Sequence, residues 1–427
     1  MQEVASVLDS IQNSKVFFHF ESDHIDWTEN NPVDLNIQLN GNKFILSLQN
    51  EKDIESLAAS FYFYTKNCEL VSWNLKNIIS YFRKKSQINI QFNKKVYDLK
   101  IICSYFNLPN KKPTSSKDAF FLINYIKKTD GWKSFEKFYD EIYYPLISRV
   151  IPSIETNPLV DANNKKLVYS YYEIEGQSNG RMKNLKVLKD SFLPHSMGEK
   201  EKEVIKLLSD EEYFIYFDYK HMEVSVLSWI TKDKNLTEMV NSKEDLYSLI
   251  WKKLTNQDPT EDQRKVCKNI FLPVIFGQGS FSLSKRIGIS EKNASKLIYN
   301  LERSFPVAFA WVKNQAPDSN NFATDVFGRR RKFQKDELYK IKNFCIQSPS
   351  NMICLRKLVK LHEALANKAK ICFHIHDGYC ISCKKKEYKS IIELSKKVLE
   401  EDDDLFPDLQ LKTSCHFGEN LNKLIKY

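Results

Sequence analysis

The sequence predicts a multi-domain α+β protein, and three observations carry that expectation. Two apolar strands each run into an aspartate: Asp218 in YFIYFDYKHMEVSVLSW and Asp377 in ICFHIHDGYCIS. Between them lies RKVCKNIFLPVIFG, in which Arg264, Lys268, Leu272 and Phe276 recur every four residues. The chain has 427 residues, enough for more than one domain and a sizeable core.

The strands matter because two carboxylates brought to one point can anchor a pair of divalent cations for phosphoryl transfer. Mg²⁺ prefers oxygen ligands and is commonly completed by substrate phosphates. The helix matters because a step of four puts its residues on one slightly slanting face. That face carries two cations and then two apolar side chains, so a triphosphate would meet Arg264 and Lys268 while its base and sugar lay toward Leu272 and Phe276. An amphipathic helix with a solvated basic end fits the same spacing. It leaves the Phe-Gly end and the flanking aspartates unexplained. Pro273 removes a helical hydrogen bond, which predicts a late start or a bend.

Composition narrows the class. The net charge of +10 favours a polyanionic partner, because cations that neutralise phosphates release counterions. The run Arg329 to Lys332 and the stretch Arg181 to Lys189 could line a duplex channel, although such runs are more often solvated surface. Nine scattered cysteines argue against a disulfide scaffold. Without a secretory signal, an apolar spanning run or a basic presequence, the expectation is a soluble protein of a reducing compartment, not a membrane protein. Cys380 and Cys383 have metal-knuckle spacing but lack a distant second pair.

In order and in sequence, the three segments resemble motifs A, B and C of family A DNA polymerases, the group that includes bacterial DNA polymerase I. Motif A, Asp-Tyr-Ser-Gln-Ile-Glu in the family, stands here as Asp218-Tyr219-Lys220-His221-Met222-Glu223. Motif B is matched by Arg264, Lys268, Leu272, Phe276 and Gly277, and motif C, His-Asp-Glu, by His376-Asp377-Gly378. Further elements follow in register. Ser178-Asn179-Gly180-Arg181 resembles the Thr-Gly-Arg segment, Phe327 to Arg330 the Gly-Arg-Arg turn, Asn343 and Gln347 the Asn-x3-Gln element of the palm helix, and HFGENLNK the closing Gly-x-Asn-Trp.

The N-terminal third resembles the family's 3′→5′ exonuclease, with losses. His19-Phe20-Glu21 lacks the first aspartate of Asp-x-Glu, and Asn74-Leu75-Lys76-Asn77 is followed by Ile78 where an aspartate belongs. The resemblance therefore implies a proofreading fold without proofreading, since His and Ile cannot replace oxygen ligands of Mg²⁺. The family's long helical thumb has as its counterpart only the stretch Asp161 to Lys166, too short for a helical hairpin.

Taken together, the resemblance implies a palm with an antiparallel sheet, helical fingers, an N-terminal α/β degenerate exonuclease-like (ribonuclease H-like) domain, and a thumb minimal or absent. Its segments would be 1–135 exonuclease-like, 136–165 connecting helix, 166–235 palm, 236–320 fingers and 321–427 palm. Asp218 and Asp377 would be the catalytic residues, holding two Mg²⁺ ions roughly 3.5–4 Å apart. Arg264, Lys268, Leu272, Phe276, Tyr219 and Glu223 would bind the nucleotide, with Glu223 blocking a ribose 2′-OH. Arg181, Asn343, Gln347 and His376 would touch primer-template DNA. Partners would be primer-template, dNTPs and a protein supplying processivity. The competing readings are a single-subunit RNA polymerase or primase, against which Glu223 and Phe276 speak, and an inactive DNA-binding scaffold, against which both aspartates and both cations speak.

Overall fold

The computed structural model describes residues 15–20, 33–39, 42–48, 68–86, 90, 92, 95–174, 177, 179–184, 191 and 193–427. Glu21, Ser178 and most of the basic stretch after Asn184 lie outside the described residues. The chain divides into two compact units. The first comprises Met1–Asp218, Cys354–Val398 and Ser414–Tyr427, and the second Tyr219–Ile353 and Leu399–Thr413.

The first unit opens with a sheet of β1 (Lys15–Phe20), β2 (Val33–Leu39), β3 (Asn42–Leu48), β4 (Glu69–Ser72) and β5 (Val96–Asp98), in the order β3-β2-β1-β4-β5. β1 pairs antiparallel with β2, and β2 with β3, whereas β1–β4 and β4–β5 are parallel. A parallel pair needs a crossover, and α1 (Leu75–Ser86) supplies the one between β4 and β5. β1 reads KVFFHF and is buried at every position after Lys15, the pattern of a strand covered on both faces.

One carboxylate organises the crossover. Asp98, at the end of β5, accepts backbone N–H bonds from Asn74 and Leu75 at the start of α1 and from Lys100 in α2 (Leu99–Tyr105), so it caps two helices. Behind this sheet lies a second satisfied acid. Glu155, in α3 (Ile151–Glu155), takes Lys76 Nζ at 2.9 Å, the Ser80 hydroxyl at 2.5 Å and the Tyr172 N–H at 2.9 Å, fully out of solvent.

The connection that the resemblance marks as the thumb's place is a hairpin. β6 (Leu159–Asp161) and β7 (Lys166–Val168) pair antiparallel, and Asp161 accepts from the Asn163 and Asn164 backbones to close the turn. β8 (Ile205–Lys206) extends this ribbon along β6.

The unit's other large sheet contains β9 (Glu212–Tyr219), β10 (Lys370–Ile375), β11 (Gly378–Lys384), β12 (Thr413–Gly418) and β13 (Ile425–Lys426), in the order β10-β11-β9-β12-β13. β9 pairs antiparallel with β11, and β10 with β11. Successive side chains of β9 alternate faces: Ile215, Phe217 and Tyr219 are buried on one, while Tyr216 and Asp218 are half-buried on the other.

The second unit is mainly helical. It contains α4 (Met222–Thr231), α5 (Leu246–Thr255), α6 (Glu261–Ile275) and the first half of α7 (Ile341–Leu365). Val224, Leu246, Ile250, Ile270, Phe271 and Leu301 belong to its buried core. Burying one such side chain contributes about 1.5–3 kcal/mol. No helix among the described residues is long and apolar enough to cross a membrane.

Candidate active site

The two aspartates are brought together. Asp218 stands directly opposite Gly378 in the β9–β11 register, and Asp377 is the residue before Gly378 in the turn joining β10 to β11. Because Ile375 pairs with Gly378, that turn has two residues, His376 and Asp377, and His376 adopts the left-handed conformation that tight hairpins need. The strands end their apolar runs here, so the acids sit at the strand ends and stay half-buried. The site is pinned from behind. The Ser414 hydroxyl donates to the Asp218 carbonyl at 3.3 Å, and the Tyr379 hydroxyl donates to the Cys354 carbonyl of α7 at 2.9 Å.

Burial is the largest influence on Asp377 and pushes its carboxyl above the ordinary value, while its own N–H, Arg181 and His376 oppose it. A carboxylate whose charge is costly gains from a cation, and two hard oxygen donors, one at a strand end and one in the adjoining turn, suit Mg²⁺. The donor set therefore fits a divalent metal. Among the described residues no cluster of three or more His, Cys, Asp or Glu side chains gathers at one point, so the pair stands without a third acidic or imidazole ligand. Arg181 and His376 both belong to this unit, and both act electrostatically on Asp377.

The second unit holds the remaining residues. α6 starts with a reciprocal cap: Thr260 N–H donates to Gln263 Oε1 at 2.9 Å, and Gln263 N–H to Thr260 Oγ1 at 3.3 Å. Arg264, Lys268 and Leu272 lie along its slanting face, and Phe276 is its C-terminal cap. The helix does not start late: it runs Glu261–Ile275 with Pro273 in its last turn, and the chain leaves through Gly277 at φ +102°. The apolar end of the face is partly spent on the protein itself, since Leu272 and Phe276 pack against the helical core. Lys268 is exposed.

Arg264 is engaged. Its Nε and one terminal nitrogen reach the two carboxylate oxygens of Asp245 at 2.9 and 2.8 Å, the fork geometry that Arg and carboxylate favour. Asp245 also caps α5 through the Ser248 N–H at 2.9 Å. Burial raises the Asp245 carboxyl, but Arg264 and Ser248 outweigh it and hold it down at about 2.

Tyr219 is buried, and its hydroxyl donates to the Leu399 carbonyl at 2.9 Å. Glu223 lies in the first turn of α4 and acts, behind burial, Cys267 and Asp245, to push the Tyr247 phenol up to about 12. Asn343 and Gln347 share one face of α7, and Asn343 Oδ1 is buried without a hydrogen-bond partner among the described residues.

The structure adds residues that the motifs do not name. His221 meets the Tyr247 ring edge-on at 4.8 Å. Burial first, then Lys268, Lys220 and Arg264, push its imidazole down to about 4 against the opposing pull of Asp245. The available signal is that Lys220 and His221 depart from the family's Ser-Gln in motif A. Nothing in sequence marks Asp245 or Tyr247.

Comparison with known proteins identifies the family. The model described as "DNA polymerase family A" matches residues 153–423. The DNA polymerase of Mycobacterium phage L5 is 28% identical over 149 residues, 34% of this chain and 24% of that protein. DNA polymerase I of Bacillus caldotenax is 22% identical over 229 residues, 49% of this chain and 26% of its own length. The chain thus spans about a quarter of the length of these curated relatives. Among solved structures, the POL domain of Pol1 from M. smegmatis, in complex with DNA primer-template and dNTP, superposes with a TM-score of 0.76 at 12% identity, covering 98% of each chain. That likeness establishes the mixed α+β fold of a polymerase domain, and with the family match over most of the chain the conclusion is that this protein belongs to DNA polymerase family A.

Proposed function

We propose that the chain is a template-directed DNA polymerase that extends a primer 5′ to 3′ with dNTPs. The single observation that carries this reading is the register that sets Asp218 opposite Gly378, so that Asp218 at the end of β9 and Asp377 in the adjoining β10–β11 turn lie next to each other within the segment matched by the family. A pair of divalent cations, bound there, would lower the barrier to attack by the primer 3′-OH and offset the charge of the leaving pyrophosphate. The protein's own part is to orient. Asp218 and Asp377 hold the cations, and Arg264 and Lys268 neutralise β- and γ-phosphates as negative charge develops. For Arg264 this requires exchanging Asp245 for phosphate, which is a like-for-like exchange of oxygen acceptors. Glu223 sets the preference for deoxyribose, and Arg181, Asn343, Gln347 and His376 contact primer-template. The orphaned Asn343 Oδ1 supports that role, because buried polar atoms are normally satisfied.

The same reading takes residues 1–135 as an exonuclease-like domain that no longer proofreads. Its support is the mixed strand order β3-β2-β1-β4-β5, with His19 buried on β1 and Ile78 buried in α1. The β6–β7 hairpin supports a thumb reduced to a turn, with the grip on duplex supplied by a protein partner. A soluble, reducing location is supported by nine buried free cysteines.

Primer extension on a defined template tests the proposal. Mg²⁺-dependent addition of dNTPs well above rNTPs is the expected result, and a 3′-mismatched primer should persist when dNTPs are withheld. Preferential rNTP incorporation would move the assignment to an RNA polymerase, and no incorporation of either would favour an inactive scaffold.

A further inference from the structure

Motif C departs from its family pattern at the third position, where Gly378 replaces a glutamate. The backbone does not require glycine there, since Gly378 is not among the residues at positive φ. Space does. A Cβ on Gly378 would lie 2.2 Å from the Tyr216 hydroxyl oxygen, 2.8 Å from Tyr216 Cζ and 3.3 Å from the Ile375 carbonyl. Tyr216 reaches this place because it shares a sheet face with Asp218 and stands opposite Cys380, which makes Gly378 its diagonal neighbour. Diagonal cross-strand neighbours are within reach of an aromatic side chain.

We propose that Tyr216 is a positioning residue of the carboxylate pair, its phenol filling the volume vacated at Gly378 and its hydroxyl bracing the turn that carries Asp377. The chain has thereby exchanged a carboxylate at the third position of motif C for a phenol delivered from the neighbouring strand. A phenol brings a polar O–H without adding a third negative charge beside two acids, which would repel both.

The inference rests on Asp218 and Asp377 as the metal-holding pair, so the test separates the two. Mn²⁺ binding to the full chain without DNA is measured by titration of free Mn²⁺, alongside thermal unfolding and the kcat and KM for dNTP. Asp377→Asn should abolish the high-affinity Mn²⁺ step. An unchanged titration would refute the metal-holding pair, and the role of Tyr216 with it. Tyr216→Phe keeps the ring but empties the space its hydroxyl fills beside Gly378, so Tm and the dNTP KM should stay near wild type while Mn²⁺ affinity and kcat each fall about fivefold, roughly the cost of one lost packing contact. Gly378→Ala should lose Mn²⁺ binding and lower Tm, and adding Tyr216→Ala to it should restore both to the level of Tyr216→Ala alone. Wild-type Mn²⁺ affinity and kcat in Tyr216→Phe would reduce Tyr216 to a space filler. Full Mn²⁺ affinity in Gly378→Ala would overturn the steric coupling.

Discussion

The first unit contains two sheets that each carry polar residues on apolar strands, and they treat them differently. In the N-terminal sheet, His19 is buried on β1 with Nδ1 2.8 Å from the Phe20 carbonyl, which can only accept, and its ring leans on Phe17 at 5.1 Å. Nearby acids are consumed by structure: Asp98 caps two helices, and Glu155 is closed off by Lys76, Ser80 and Tyr172. In the β9–β11 sheet, Asp218 and Asp377 stand at strand ends, half-buried, and the Asp377 carboxylate is disfavoured by its surroundings. Burial pushes the Asp98 carboxyl up just as it does that of Asp377, so the difference is access: Asp98 and Glu155 are closed off among their donors, whereas Asp218 and Asp377 stand half-buried at strand ends. On the proposed reading, the open pair is the one able to take cations and the enclosed acids serve the fold.

The largest effect that could break this contrast is at Asp377. Asp377→Asn should reduce primer extension on the order of 10³-fold, since metal stabilisation supplies several kcal/mol and each ~1.4 kcal/mol is tenfold. The same variant should be more stable than wild type above neutral pH in the presence of a chelator. The sign follows from linkage: a carboxyl raised by folding makes the folded state lose stability as pH rises through the unfolded value, and Asn removes that loss. A variant that extends primers normally, or that melts lower at pH 8, would remove the distinction between the sheets.

Next in size is the buried pair behind the N-terminal sheet. Glu155→Ala strands the Lys76 ammonium out of solvent and should cost about 3–5 kcal/mol of folding stability, read from denaturant midpoints. Metal-dependent extension per folded molecule should be unchanged. A loss of extension without a loss of stability would assign Glu155 to the reaction and not to the scaffold.

Much of the β9–β11 site was legible before folding was considered. The two aspartates, the four-residue step of α6 and the order of the segments are local patterns, and each motif lies on the element its spacing suggests. What was illegible depends on which elements meet. Arg264 and Asp245 are 19 residues apart on different helices, and Tyr216 and Gly378 are joined only by strand register. Sequence reads the face that Arg264 occupies, not the acid that answers it. Pro273 was readable as a break, but its tolerance follows from position: one turn from the C-terminus its missing N–H costs a single bond, and the chain was about to leave through Gly277.

A smaller effect concerns the sugar. Glu223 belongs to the helical unit and acts on Tyr247, and Glu223→Ala should leave metal binding intact while raising rNTP relative to dNTP incorporation by roughly tenfold, about what one lost steric or polar element of specificity is worth. An unchanged ratio in competition assays would place the discrimination elsewhere in α4 to α6.

The smallest expected effect tests the engaged state of Arg264 against the exposed state of Lys268. The Asp245 carboxyl is held at about 2 by Arg264 and Ser248, so folding depresses it below its unfolded value. Its contribution to stability is therefore present above pH 4 and disappears as pH falls toward 2. The pair is about a third exposed on each side and water screens it, so Asp245→Asn should cost only about 0.5–1 kcal/mol at pH 7. Below about pH 2 the two proteins should converge. The substitution also weakens the hold on Arg264, so the KM for dNTP should fall or stay level, whereas Lys268→Ala, which removes a cation with no such partner to lose, should raise it. Parallel acid unfolding curves that never converge would show that Asp245 acts through its cap on α5 and not through its charge, and a raised KM in Asp245→Asn would show that the ion pair orients Arg264 for phosphate instead of withholding it.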